Sequence, residues 1–205
     1  MKFVSYFRNT SSVYDNFASN YDNFFSPFER WFMSNWREET FSNLTDYPRI
    51  LEIGAGTGLN FRLYPKHLFA VASEISYKML EFAKEKTNEI QLVQANAEIL
   101  PFADNSFDAA VATLVICSVS NPEQVFVELQ RVVKPSGKLI LLEHVRPNGA
   151  LGIIFDILNI FAVKLFEDHS NLQTSKIAKN SGLRILEVQR KAFGIVNLIV
   201  CEVIK

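Results

Sequence analysis

Cysteine is scarce in this chain: Cys117 and Cys201 are the two in 205 residues. Each sits in an apolar, strand-like run, which points to buried thiols in a reducing compartment and excludes a disulfide framework. Long apolar runs are missing as well. The greasiest stretch, Leu151–Phe166, is broken by Asp156, Asn159 and Lys164 and falls short of the ~20 residues a spanning helix needs. Residues 1–10 hold Lys2 and Arg8 but neither an apolar h-region nor a small-residue cleavage site, so secretion is not expected and a cytoplasmic location is the default. Charge of one sign is not in excess. With 21 basic and 22 acidic residues the formal net charge is −1, which leaves no global field to gather nucleic acid or coat an anionic membrane. The 48% hydrophobic and 21% charged composition excludes a disordered or collagen-like chain. A protein of this length buries roughly 70% of its unfolded surface, enough for a sizeable core.

Aromatic residues are distributed unevenly. Of the 18 Phe, 6 Tyr and 2 Trp, 14 precede Pro48, in a stretch without glycine. That composition predicts a helical cap over 1–47 on a core over 48–205, the whole forming a single domain. From Arg49 onward, short β-branched runs alternate with helical periods, the pattern of repeated βα units around a mostly parallel sheet. Strands are expected at Arg49–Ile53, Phe69–Glu74, Gln91–Ala95, Phe107–Leu114 and Lys138–His144. Asn121-Pro122-Glu123-Gln124 opens a helix with a side-chain acceptor at N-cap and proline at N1, and Lys134–Gly137 supplies the turn after it. The runs at 183–190 and 194–204 are joined too closely for a parallel crossover, so they pair antiparallel.

The richest stretch is Ile50-Leu51-Glu52-Ile53-Gly54-Ala55-Gly56-Thr57-Gly58-Leu59-Asn60, where an apolar strand runs into alternating glycines. Glycine permits a tight turn and close approach of a ligand to the backbone. A dinucleotide fingerprint would put its third glycine where Leu59 stands, and a phosphate loop would need a lysine, so neither fits. Glu74, twenty residues past Gly54, ends the next strand, where a carboxylate accepts the hydroxyl protons of a ribose. Together these define a nucleoside pocket.

These residues resemble the class I S-adenosylmethionine-dependent methyltransferases over nearly the whole chain. Leu51–Gly58 is similar to the family's first motif, and Glu74 stands where its ribose-binding acid does. Asn96–Phe102 resembles the adenine segment of the ubiquinone and menaquinone biosynthesis branch, with Asn96 in place of the usual aspartate. Ser106–Ala109 resembles the opening of the fourth strand. The resemblance implies a Rossmann-like α/β fold: seven strands, mostly parallel, an antiparallel C-terminal pair, helices on both faces and a helical N-terminal lid. It implies S-adenosylmethionine as donor and S-adenosylhomocysteine as product, with no metal. Donor contacts would fall on Glu52, Gly54, Ala55, Gly56, Gly58 and Asn60, on Glu74 and Ile75, on Asn96, Ala97 and Glu98, and on Thr113, Leu114 and Ser118. In the arm, Tyr14, Ala18 and Tyr21 share a helical face and resemble the branch's lid, so Tyr14 or Tyr21 would close over the methionine end.

A sulfonium is already an activated electrophile, so alignment of an acceptor lone pair supplies most of the catalysis, ~7 kcal/mol or more. Three histidines are candidate bases. His144, at the end of the fifth strand, is favoured over His169 and His67 because the carboxyl ends of parallel strands face the ligand crevice. Thr113–Val119 with Glu143–Val145 resembles alkyl thiol methyltransferases, and Tyr64-Pro65 also occurs in bacterial phosphatidylethanolamine N-methyltransferases. Both groups take greasy acceptors, so a small or lipid-like molecule is expected and nucleic acid is not. The helix predicted over Leu151–Glu167 either packs on the sheet, lines an acceptor pocket or lies on a bilayer. Lys176, Lys179, Arg184, Arg190 and Lys191, opposed by Glu187, form a basic patch suited to peripheral contact with anionic lipid. A donor-binding sensor or partner subunit without catalysis is the alternative.

Overall fold

The computed structural model describes residues 11, 12, 14–16, 18–23, 31, 33–66, 68–145 and 173–205, the Phe193 side chain excepted. Met1–Thr10, His67, His169 and the helix expected over Leu151–Glu167 lie outside the described residues. The elements in chain order are α1 (Ser34–Ser42), β1 (Arg49–Ile53), β2 (Phe69–Glu74), α2 (Tyr77–Lys84), β3 (Gln91–Gln94), β4 (Phe107–Thr113), α3 (Pro122–Val132), β5 (Val133–His144), α4 (Thr174–Asn180), β6 (Arg184–Lys191) and β7 (Val196–Glu202). Ahead of α1, residues 14–16 and 18–23 are helical and form the arm.

Seven strands make one sheet in the order β3-β2-β1-β4-β5-β7-β6. All neighbours pair in parallel except β7, which runs antiparallel to both β5 and β6. The expected antiparallel C-terminal pair is therefore present. Strand order reverses between β1 and β4, and in open α/β sheets a ligand crevice forms outside the carboxyl ends at such a switch point.

Alternation along the strands divides the core into two layers. Leu51, Ile53, Ala110 and Ala112 face α3, whose Val125, Phe126, Leu129 and Val132 are buried on the same side. Full burial of side chains of this size contributes about 1.5–3 kcal/mol each. Ile50, Ala109, Val111, Ile140 and Leu142 face the other way, against Met33, Phe41 and Leu44 of the N-terminal segment. The α3 start follows the sequence: the Asn121 side chain accepts from the Gln124 amide, and Pro122 fills the first turn.

Two local expectations are corrected. Lys134–Gly137 is not a free turn; β5 already pairs with β4 at Val133 opposite Phe107, and the register then shifts, with Ser136 at φ 62°. The segment is thus a bulge at the start of a strand. Cys117 lies not in a strand but in the 3-10 turn Ile116–Ser118 after β4; like Cys201 in β7 it is buried and outside any disulfide. The basic patch also has more acid around it than the sequence suggested, because Arg184 pairs with Glu202 at 2.8 Å and Lys191 with Glu39 at 2.7 Å. Among the described residues no helix is long and apolar enough to cross a membrane.

Candidate active site

Strand β1 ends in a turn whose glycines Gly54 and Gly56 have φ values of 61° and 55°, a region that L side chains rarely adopt. They serve different purposes. A Cβ on Gly54 would fall 2.4 Å from a Val115 methyl, so Gly54 lets the loop after β4 approach β1. A Cβ on Gly56 would meet nothing within 4 Å, because it would project into an open cleft. That cleft encloses about 760 Å³, counting the space open to solvent at its mouth, and lies where the strand order reverses.

Glu74, at the end of β2, faces the cleft. Its carboxylate accepts the Gly56 amide at 2.9 Å and the Ser76 amide at 2.9 Å, which ties the glycine loop to the second strand. Burial pushes its pKa above the ordinary carboxylate value; the amide hydrogen bonds pull it down, and the negative charge of Asp15 pushes it up again. A carboxylate offers its full set of acceptor sites when ionised and loses part of it on protonation. Nucleoside affinity is therefore expected to fall as pH is lowered through this raised pKa, at a higher pH than an ordinary carboxylate would give. Calorimetric titration of S-adenosylhomocysteine across pH, with Glu74→Gln showing no such limb, checks this.

The opposite wall is the 96–102 segment, held from α3. Glu128 accepts the Leu100 amide at 2.7 Å, and Arg131 donates to the carbonyls of Leu100 at 2.9 Å and Phe102 at 2.7 Å. Asn96 lines the cleft with its Oδ1 accepting the Glu98 amide at 2.9 Å. Glu98 touches the cleft too, but its carboxylate turns to the amides of Ser120 and Asn121, at 2.8 and 2.9 Å, and holds the entry to α3. The floor comes from the end of β4. Leu114 takes a left-handed φ of 58°, and the buried Glu143 carboxylate then accepts the amides of Val115 and Ile116 at 3.0 and 3.1 Å. This turn presents Ser118 to the cleft.

The arm lies against the cleft. Tyr14 donates to Ser118 Oγ at 2.9 Å, Asp15 accepts from Ser76 Oγ at 2.5 Å and from the Lys78 amide at 3.2 Å, and Asp22 accepts from Thr57 Oγ1 at 2.5 Å. Asp22 also pairs with Lys86 at 2.6 Å. Both Tyr14 and Tyr21 line the cleft, and Ala18 between them is buried.

Of the residues expected to bind donor, Gly54, Gly56, Glu74, Ile75, Asn96 and Ala97 line this cleft. So do Thr113, Leu114 and Ser118. Ala55 is buried behind the loop, and Gly58 lines a separate groove. Glu52 and Asn60 lie beneath the wall in a buried cluster, and His144 stands opposite Val196 at the end of β5, outside the cleft lining. Sequence reasoning missed Met79, Val115 and Val119 in the lining, and Arg37 and Tyr64 in the cluster. Arg37 left a signal: Met33, Arg37, Thr40 and Phe41 are spaced as one helical face, and all four are buried.

Residues 51–141 match the methyltransferase domain family. The chain is 32% identical over 146 residues to a phosphatidylethanolamine N-methyltransferase of Cereibacter sphaeroides, covering 68% of this chain and 71% of that protein. It is 38% identical over 100 residues to a demethylmenaquinone methyltransferase of Renibacterium salmoninarum and 33% identical over 137 residues to a thiol S-methyltransferase of Rattus norvegicus. Those matches cover 48% and 60% of this chain, and 42% and 56% of the relatives. In fold it resembles a methyltransferase from Thermotoga maritima with a TM-score of 0.74, at 22% identity, over 94% of this chain and 99% of that one. A glycine turn, a strand-end carboxylate and a cleft at the switch point thus coincide with membership by sequence: the chain belongs to the class I S-adenosylmethionine-dependent methyltransferases, with S-adenosylmethionine as its methyl donor.

Proposed function

We propose that this enzyme methylates a small or lipid-like apolar acceptor: a phospholipid amine, a quinol or an alkyl thiol. The cleft lining carries the reading. Ile75, Met79, Leu114, Val115 and Val119 give apolar walls beneath Tyr14 and Tyr21, and among the described residues no basic side chain lines it. Nucleic acid phosphates would call for cations there. The names of the relatives, which specify phosphatidylethanolamine, demethylmenaquinone and a thiol, support the same range.

In this reading Glu74 holds the ribose hydroxyls, and Asn96 and Ala97 face the adenine. The second lone pair of Asn96 Oδ1 serves the adenine amino group, since the first takes the Glu98 amide. Tyr14 and Tyr21 close over the methionine end, where π faces favour a sulfonium shielded from water. An acceptor lone pair aligned opposite sulfur takes the methyl group as the S–CH3 bond breaks. The sulfur leaves as a neutral thioether, and an acceptor that carries a proton loses it to water. His144, outside the cleft lining, receives no role in this step.

The test supplies methyl-labelled donor with phosphatidylethanolamine liposomes, a reduced menaquinol analogue and an alkyl thiol in turn. Label is expected in at least one. Its absence from all three, under conditions where S-adenosylhomocysteine binds, overturns the acceptor class.

A further inference from the structure

Behind the cleft floor lies a buried polar cluster whose protons can be placed one by one. Arg37, on α1, is 6% exposed; its Nη1 donates to Asn60 Oδ1 at 2.8 Å and to Thr113 Oγ1 at 3.0 Å. Asn60 Nδ2 donates to Glu52 Oε1 at 2.5 Å and to Thr113 Oγ1 at 2.9 Å. Tyr64 donates to the other Glu52 oxygen, and its ring stacks on Phe41 of α1 with centroids 5.1 Å apart. The charges at either end fix the middle. A guanidinium has no acceptor and a carboxylate no donor, so the Asn60 amide must turn its oxygen to Arg37 and its nitrogen to Glu52.

Thr113 is the point where this order reaches the cleft. A hydroxyl has two lone pairs and one proton. Both lone pairs of Thr113 Oγ1 face inward, one toward Arg37 and one toward Asn60, so its remaining tetrahedral direction carries the proton. Thr113 also lines the cleft. With a guanidinium behind it the O–H is a polarised donor, and the cation favours an anionic oxygen over the sulfonium or the ammonium group. The donor has one anionic group, the carboxylate of its amino-acid part.

We infer that Arg37 is a positioning residue for donor recognition: it commits the Thr113 hydroxyl to donate into the cleft, where that hydroxyl binds the amino-acid carboxylate of S-adenosylmethionine. The inference rests on the cleft being the donor site. A residue of α1 thereby takes part in cofactor recognition without touching the cofactor.

Calorimetry with two ligands separates this role from support of the fold. S-adenosylhomocysteine carries the amino-acid part; 5′-methylthioadenosine lacks it. Thr113→Val, nearly isosteric, is expected to weaken S-adenosylhomocysteine about tenfold, the scale of one hydrogen bond to a charged group, and to leave 5′-methylthioadenosine unchanged. Thr113→Ser keeps the hydroxyl and restores binding. Arg37→Met reproduces the split between the ligands. Wild-type affinity of Thr113→Val for S-adenosylhomocysteine, or equal loss of both ligands, overturns the inference while the donor site stands. A Glu74→Gln enzyme that binds both ligands as wild type does overturns the donor site itself, and this inference with it.

Discussion

Gly56→Val is expected to lose donor binding by about 100-fold or more, equivalent to about 2.7 kcal/mol, while the protein stays folded. The two halves of that expectation have separate causes. Within the protein a Cβ at this position meets nothing within 4 Å, so no core contact is displaced. The left-handed φ of 55° costs an L residue about 1–2 kcal/mol and a β-branched one more, which a domain of ordinary stability tolerates. The cleft, however, receives the new isopropyl group at the point where the Gly56 amide meets Glu74, and there it takes the volume of the ligand. Gly54→Ala is the contrasting case, because its methyl collides with Val115 and the damage falls on folding. Circular dichroism and calorimetric titration of S-adenosylhomocysteine distinguish the two. A folded Gly56→Val protein with normal affinity would place the donor elsewhere.

Deleting residues 1–23 is expected to abolish measurable donor binding and leave a folded sheet. Tyr14 and Tyr21 line the cleft, whereas neither belongs to the buried clusters on the two faces of the sheet. The arm is held to the core through Ser118, Ser76, the Lys78 amide, Thr57 and Lys86. Each such contact contributes about 1 kcal/mol net, less for the half-exposed Asp22–Lys86 pair, and the ordering of the arm opposes them. Unchanged affinity in the truncated protein would show that the arm is not a lid.

Much of this architecture was legible in the sequence because its signals are local. Strand periods, the N-cap at Asn121 and the glycine turn each depend on neighbours a few residues away, and they appear where expected. The strand starting at Val133 was not, because proline and glycine at 135 and 137 read as a turn until the pairing partner Phe107 is in place. Glu98 was expected to face the ligand; its carboxylate instead satisfies the Ser120 and Asn121 amides, a demand set by a loop 22 residues onward. Arg37 lies still further from local inference. Its partners are 23 and 76 residues away, and an arginine on an apolar helix face announces a buried anion or acceptor without saying which.

Ser76 does two jobs with one oxygen. It accepts the Met79 amide as the N-cap of α2 and donates its proton to Asp15 of the arm. Swinging the arm away would thus leave the Ser76 proton and the Lys78 amide, both in the first turn of that helix, to water, directly beside the Glu74 carboxylate. Release of the arm and wetting of that helix's first turn would then be a single event.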